Sequence, residues 1–465
     1  MAEDKRICAG CIPESYLSTL IGATGSIAEC DYCNAQRPTI DIESLADQCE
    51  RVIETYFEPT SFSDAVVIYG RDPIGDSLKD VLEMQLGVDE EILDDLVTVL
   101  ADRWSDWDSQ EHKYGDDPYF IERSKHSSPF SAEWRRMEQS LLSEARLLNP
   151  KANAILEKIF GPLLNYRTAS GNGVIVDAGP DTDLPKLYRA RVFQSLGELE
   201  RALSHPAREV GPPPSGVARA GRMNAHGVSV FYGASIPEIA VAEVRPPVGS
   251  HALLGTFNVV RRLRILDLDK LADLVLHPTA SLFEPTTAEV VGRNEFLNSL
   301  SKRMVMPVMP EHENSGYLIT QAIADFLATH PSLNLDGILF RSVQHPSEGT
   351  QQGRNVVLFN KASRVAFSRE EEGATSHVQL IETDEDGDHW NPEICVVHPD
   401  DRSQIPHWIV DHDERVVALD IDLDHLEIQE IKGMKFTADK TSVTKYSDPK
   451  RAKNVTTGQS RSRKF

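Results

Sequence analysis

The stretch GRMNAHGVSVFYGASIPEIAVAEVRP, Gly221 to Pro246, decides how this chain is understood, together with LYRAR at Leu187 to Arg191. Leu187 to Phe193 alternates as a strand does, so Arg189 and Arg191 project from one face, roughly 6.6 Å apart. Such a pair suits a pyrophosphate, because guanidinium forks stay charged and offer paired donors in a plane. Val228, Val230 and Tyr232 alternate in the same way, which puts Tyr232 at the end of a second strand. Ser235 and Glu238 form a capping-box pattern ahead of Ile239, Ala240 and Val241, so a helix is expected to start there. Glu243 then lies about two turns into that helix.

The order of these residues resembles the RES domain, a bacterial family named for its Arg, Glu and Ser residues, whose toxin members degrade NAD. The family's motif of GR, a short spacer, Tyr and then Glu matches Arg222, Tyr232 and Glu243, and Asn224 and Gly227 fit it too. The resemblance implies cleavage of the bond between nicotinamide and ribose. That reaction develops positive charge on the sugar, which a carboxylate held nearby stabilises. Glu243 is the candidate for this role. Tyr232 can stack on a flat ring or fix the ribose, and Arg222 can hold a phosphate or polarise the leaving amide. The plainer alternative is a surface Arg–Glu ion pair beside a core tyrosine.

Two later segments extend the match. YLITQAIADFL at Tyr317 to Leu327 has helical periodicity; DGILFRS at Asp336 to Ser342 and GRNVVLFN at Gly353 to Asn360 have the character of strands joined by a polar loop. The family has an active-site serine at the place of Ser342, which implies a hydroxyl that binds phosphate or ribose. Arg189, Arg191 and Ser342 are candidates for NAD binding; Asn355 and Gln321 are weaker ones, with a turn residue and a helix-surface amide as their plainer readings, and His345 is an ordinary loop residue. The resemblance covers roughly residues 185 to 362 and implies an α+β fold like that of ADP-ribosyltransferases, a twisted, split sheet with helices around a cleft.

At the amino-terminal end, Cys8-x-x-Cys11 is followed by Cys30-x-x-Cys33. Two such knuckles supply four soft thiolates that close a tetrahedral zinc site of the structural kind. A redox CxxC or disulfide pairing is the alternative; no secretory signal is apparent, which favours metal. So short a piece buries little core, so the metal is expected to hold it folded. Cys49 falls on the apolar stripe Ile42, Leu45, Cys49, Val52, Ile53, Tyr56 and Phe57, a helix. Ile92 to Leu100 forms a second helix behind Asp89 as cap, and Ser131 to Leu148 a third. This helical region resembles the HEPN domains that accompany some RES proteins. It departs from HEPN ribonucleases in lacking their Arg and His at four to six intervening residues: Arg103 is too far before His112 and Arg123 too close to His126. A regulatory or assembly role is expected instead.

The expected organisation is a zinc knuckle pair over residues 1–36, a helical domain over 37–165, a RES-like domain over 180–362, an acidic extension over 363–445 and a basic, disordered tail over 446–465. Within the extension, ETDEDGDHW at Glu382 to Trp390 lacks the spacing of an EF-hand and is expected as a solvated loop, whereas the alternation from Val417 to Leu423 suits a strand at the sheet edge. A net charge of −24 argues against general nucleic-acid binding, and no apolar run reaches bilayer length. A cytoplasmic enzyme that consumes NAD is expected, with phosphate, water or a macromolecule as ADP-ribose acceptor and with a regulatory protein, an antitoxin or a second copy of the chain as partner. The alternative is a catalytically silent nucleotide sensor whose zinc-bound half mediates assembly.

Overall fold

The computed structural model describes residues 4–60, 74–106, 111–114, 118–123, 129–275, 280–306, 313–342, 353–366, 375–384, 387–397, 413–433 and 440–443. His126, His345 and the basic tail lie outside the described residues.

The amino-terminal part is built on a small antiparallel sheet in which Gln36–Asp41 lies between Arg6–Cys8 and Ser26–Glu29. The helix Ser15–Thr24 starts where the Glu14 carboxylate accepts the amides of Tyr16 and Leu17. The helix Ile42–Tyr56 starts behind Asp41, which accepts from the amide of Ser44, and it buries Ile42, Leu45, Cys49, Val52 and Ile53. That is the stripe its sequence displays. Burial alone raises the Cys49 thiol to about 12, as for a small apolar core residue. Glu90–Trp104 lies behind Asp89 as expected, although the Asp89 side chain makes no capping bond. Between these helices lies one that the hydrophobic pattern did not announce, Leu78–Leu86, with a reciprocal Ser77–Asp80 capping box and Gly87 at φ +64° as its stop. Arg103 pins Glu90–Trp104 to Ile42–Tyr56 through Glu43, Asp47 and Glu50.

The carboxy-terminal part is organised by one eight-stranded sheet. Its order is Leu419–Glu430, His251–Val259, Lys186–Phe193, Phe231–Ala234, Arg354–Leu358, Gly337–Arg341, Leu263–Asp267 and Ile175–Ala178. Every pairing is antiparallel except that of Leu263–Asp267 with Gly337–Arg341. The sheet has a seam. Lys186–Phe193 meets Phe231–Ala234 through the single pair Tyr188–Ala234, whereas it meets His251–Val259 through eight pairs. Leu419–Glu430 extends the edge where alternation suggested a strand.

Buried side chains fall into clusters that cut across the sequence-based division. Residues 37–165 look like one helical unit, yet Phe130, Trp134, Met137, Leu156, Ile159 and Phe160 share a core with Ile338, Phe340 and Val357 of the sheet. The knuckle residues Ile7 and Ile12 share theirs with Leu45, Leu96 and Phe120. Helical periodicity reveals an apolar face but not what covers it. From the later chain, Phe283, 2% exposed, enters the amino-terminal core with Leu282 packed against it, and the Phe283 carbonyl accepts Arg51 Nη2 at 2.7 Å.

Several local expectations are corrected. The third helix spans Pro129–Ser143 and stops short of Leu148, which has φ +52° and is almost fully exposed. The second strand is Phe231–Ala234 and does not begin at Val228, because the Val228 carbonyl bonds to the Asn224 side chain and Ser229 Oγ donates to Pro213. The next helix is Pro237–Glu243, with Ile236 at its cap. Ser235 faces the neighbouring strand instead, where its Oγ accepts the Arg354 amide at 2.9 Å. In the acidic extension, Thr375–Asp384 and Gly387–Val397 form an antiparallel hairpin that includes most of the loop expected at Glu382 to Trp390. Its polar, largely exposed composition hides the alternation of a half-buried strand.

Candidate active site and cysteine centre

Glu243 ends the short helix Pro237–Glu243, whose Ile239 and Ala240 pack over the seam against Ala190, Ala234 and Leu254. Burying those two helix positions leaves the carboxylate exposed at the helix end. There Oε1 accepts two hydrogen bonds of 2.7 Å, from Ser342 Oγ and from Asn355 Nδ2. Asn355 is 8% exposed and stands opposite Ala234 on one side and Phe340 on the other. Ser342 follows the last residue of Gly337–Arg341. The three residues thus come from three elements 112 positions apart in sequence, on the sheet face shared with Tyr232 and Phe340. Among the described residues Oε2 has no partner. A carboxylate fixed by two donors through one oxygen presents the other to whatever occupies the space beside it.

Ser342 also lines a cavity of about 700 Å³ with Leu268, Asp269, Lys302, Val305, Arg341 and Arg354. Arg354 Nη1 bonds to the fully buried Asp267 at 2.7 Å, and Arg341 Nε lies 3.3 Å from Asp269. Burial and then the charge of Asp267 push the Asp269 carboxyl up, while both arginines pull it down. This ion cluster escaped sequence inspection. Its traces are the Arg354 adjoining Asn355 and the DLD at Asp267 to Asp269, neither of which is distinctive.

Arg222 and Tyr232 are brought close, but as parts of a loop framework. The Tyr232 hydroxyl accepts the Met223 amide at 3.0 Å and donates to Asn224 Oδ1 at 2.8 Å. Asn224, 2% exposed, donates in turn to the carbonyls of Arg219, Ala225 and Val228. Gln321 Nε2 donates to the carbonyls of Gly221 and Asn224, which gives that helix amide a definite role as a positioning residue. The loop closes so tightly on Gly221 that a Cβ there would lie 2.6 Å from both Asn224 Oδ1 and the Tyr232 hydroxyl oxygen. Burial raises the Tyr232 phenol to about 12. Arg222 Nη1 donates to Met304 at the end of the helix Pro285–Val305, and its carbonyl accepts from Thr320.

Arg189 and Arg191 do share a face, as expected, but it is the other face of the sheet. They alternate with Tyr188 and Ala190, which pack under the Glu243 helix, and lie in line with Leu187 and Phe193, which belong to the opposite core. Arg189 donates to the carbonyls of Val210 and Tyr232 at 2.8 and 2.5 Å, and Arg191 to the carbonyl and carboxylate of Glu209 at 2.8 and 2.7 Å. Two cations on the last carbonyls of the short helix Pro206–Val210 complement its end. Burial, and secondarily Arg191, lowers Arg189 to about 10. The structure therefore does not bring this pair, expected as a pyrophosphate grip, together with Glu243, Ser342 and Asn355. Sequence alternation defines a shared face, but not which side of the sheet it will be.

In the amino-terminal sheet, Cys8 ends a strand, Cys11 ends the 3-10 turn Ala9–Cys11, and Cys30 and Cys33 flank the turn before Gln36–Asp41. Their sulfurs lie within 4.8 Å of one another, with Cys8–Cys11, Cys8–Cys33 and Cys11–Cys30 separations of 3.7, 3.6 and 3.8 Å. Four thiolates at about 2.3 Å from a zinc ion would stand about 3.8 Å apart. The donor set fits such an ion. Cys395 is exposed and is not one of these four.

Residues 186–381, a little over two fifths of the chain, match the family model described as the RES domain. The match reaches beyond residue 362 into the hairpin strand Thr375–Asp384, whose Leu380 is buried in the core beneath the sheet. Neither the curated proteins nor the solved structures contain a match to the chain. No helix among the described residues is long and apolar enough to cross a membrane.

Proposed function

We propose that the chain cleaves NAD at the bond between nicotinamide and ribose, with Glu243 as the residue that carries the reaction. The supporting observation is the fixed carboxylate: Oε1 is held by Ser342 and Asn355 at 2.7 Å each, Oε2 has no partner among the described residues, and Ser342 itself lines a cavity of about 700 Å³. A cavity of this size accommodates a dinucleotide fragment. As the leaving group departs, positive charge grows on the ribose, and a carboxylate held in place stabilises it without reorganising. Ser342 acts here by holding Glu243 in place through its hydroxyl. Tyr232 and Asn224 keep the Arg222 loop in shape, and Arg222 moves toward a phosphate only by exchanging its bond to the Met304 carbonyl. Water, phosphate or a macromolecule accepts the ADP-ribosyl group.

The RES domain match is consistent with this NAD-related chemistry. The test is incubation of the purified chain with NAD, with and without phosphate, while nicotinamide is followed by chromatography and the second product by mass. Nicotinamide release that Glu243→Gln abolishes supports the enzyme, and the product mass names the acceptor. Binding of NAD without turnover, unaltered by Glu243→Gln, favours a nucleotide sensor.

We also propose that the four cysteines hold structural zinc. The ion would be ligated by all four thiolates, with no position open to substrate, and would contribute folding energy rather than catalysis.

A further inference from the structure

The strands that carry Ser342 and the Asp267 cluster have another end. Arg261, Arg262 and Arg264 enter Leu263–Asp267, Asp336 immediately precedes Gly337–Arg341, and Lys361 follows Arg354–Leu358. These residues, with Arg167 and Asp177, line a cleft of about 960 Å³. Across five strand residues it lies roughly 17 Å from Ser342. It is therefore separate from the Glu243 cluster.

Its charge is opposite to that of the whole chain. Five cationic side chains face two carboxylates in the cleft, within a chain of net charge −24. The carboxylates neutralise only part of this. Arg262 pairs with Asp177 and holds its carboxyl below the usual range, and Arg261 Nη2 lies 3.3 Å from Asp336. Asp336 is otherwise committed to the sheet, where its other oxygen accepts the Arg264 amide at 3.0 Å. Arg167 Nη1 is used on the Leu164 and Tyr166 carbonyls, and Lys361 donates to the Ala328 carbonyl. The Arg264 guanidinium makes no hydrogen bond to a described residue. Its Nε and that of Arg261 are shut away from solvent without an acceptor. No described residue supplies the missing acceptors.

We propose that this cleft is a second anion site, independent of the NAD chemistry, that takes a small ligand with two or more phosphate groups. Phosphate oxygens supply acceptors to the Arg264 guanidinium nitrogens other than the closed-off Nε, which no described residue uses, and planar guanidinium forks match their geometry. The cleft volume is that of a small-molecule site. The local excess of cations draws a multivalent anion out of a solvent that the rest of the acidic surface would keep it in.

The experiment is calorimetric titration of the full chain with inorganic pyrophosphate, at fixed ionic strength in chloride. Saturable binding is expected, weakened at least ten-fold by Arg264→Gln and several-fold by Arg262→Gln, which lies at the exposed rim. Glu243→Gln should leave it within two-fold of the original. If Arg264→Gln does not fold, Arg264→Lys keeps the charge but not the fork, and weaker binding by it supports the site. A chain that binds no pyrophosphate overturns the proposal. So does binding that the folded Arg264 and Arg262 variants retain in full, or that disappears in Glu243→Gln, since the anion would then occupy the Glu243 cavity. Failure of nicotinamide release leaves this outcome unaffected.

Discussion

The cysteine centre and the Glu243 cluster differ in how far the chain travels to make them. The four sulfurs come from the span Cys8 to Cys33 and meet in one small sheet, whereas Glu243, Ser342 and Asn355 meet across a hundred positions at a sheet seam. The first sits inside the small core around it, where Cys8 and Cys30 are buried. The second is attached to a framework that stands without it, and its key carboxylate is exposed. Removing the one should unfold something; removing the other should not.

The largest expected effect is therefore metal removal. Structural zinc contributes about 10–16 kcal/mol of apparent binding energy in small domains. Chelation, or Cys8→Ser with Cys30→Ser, should unfold the region up to about residue 60, seen as loss of amide-exchange protection there, while the sheet stays protected. Uniform protection in both regions would break the contrast. Next comes Phe283→Ala, which removes a buried side chain that the later chain places in the amino-terminal core. It should cost about 3–5 kcal/mol in the unfolding of that core and change NAD turnover little. Parallel loss of turnover would instead show that the core controls the helix Pro285–Val305, which ends at the Arg222 contact.

Glu243→Gln should lower turnover at least about 100-fold, equivalent to about 2.7 kcal/mol of barrier, with an unchanged melting temperature. A fall in melting temperature as large as that of Phe283→Ala would make Glu243 a structural residue. The smallest effect is that of Tyr232→Phe, which removes a hydrogen bond to Asn224 and one from Met223 and should cost about 1–2 kcal/mol. The folded phenol titrates at about 12, above its ordinary value near 10. Its contribution is then fully present below pH 10 and is lost as pH rises toward 12. Denaturant titrations across that window should show a shallower alkaline decline for Tyr232→Phe than for the unaltered chain.

The contrast between the two sites is also a contrast in legibility. Paired CxxC knuckles are readable because their ligands are local and a thiolate's chemistry is specific. The stripe on Ile42–Tyr56, the strand Lys186–Phe193 and the helix around Tyr317 to Leu327 were likewise legible, since periodicity is a property of the chain itself. The short helix Leu78–Leu86 and the polar hairpin ending at Val397 were not, the one too brief and the other too exposed to show a pattern. Glu243, Ser342 and Asn355 could be named because motif order singled them out, but nothing in their spacing says that two of them hydrogen-bond to the third.

Sequence by itself thus determined the residue types, the elements with strong periodicity and the four-sulfur set, because each depends on neighbours within a few turns of chain. Tertiary structure alone decided which side of the sheet each strand's faces would meet. That choice turned Arg189 and Arg191 away from Glu243 and onto the end of Pro206–Val210, and it gathered three other arginines at the far ends of the strands. Alternation is a two-fold pattern and is satisfied equally by either side; only the packing of the elements above and below breaks the tie.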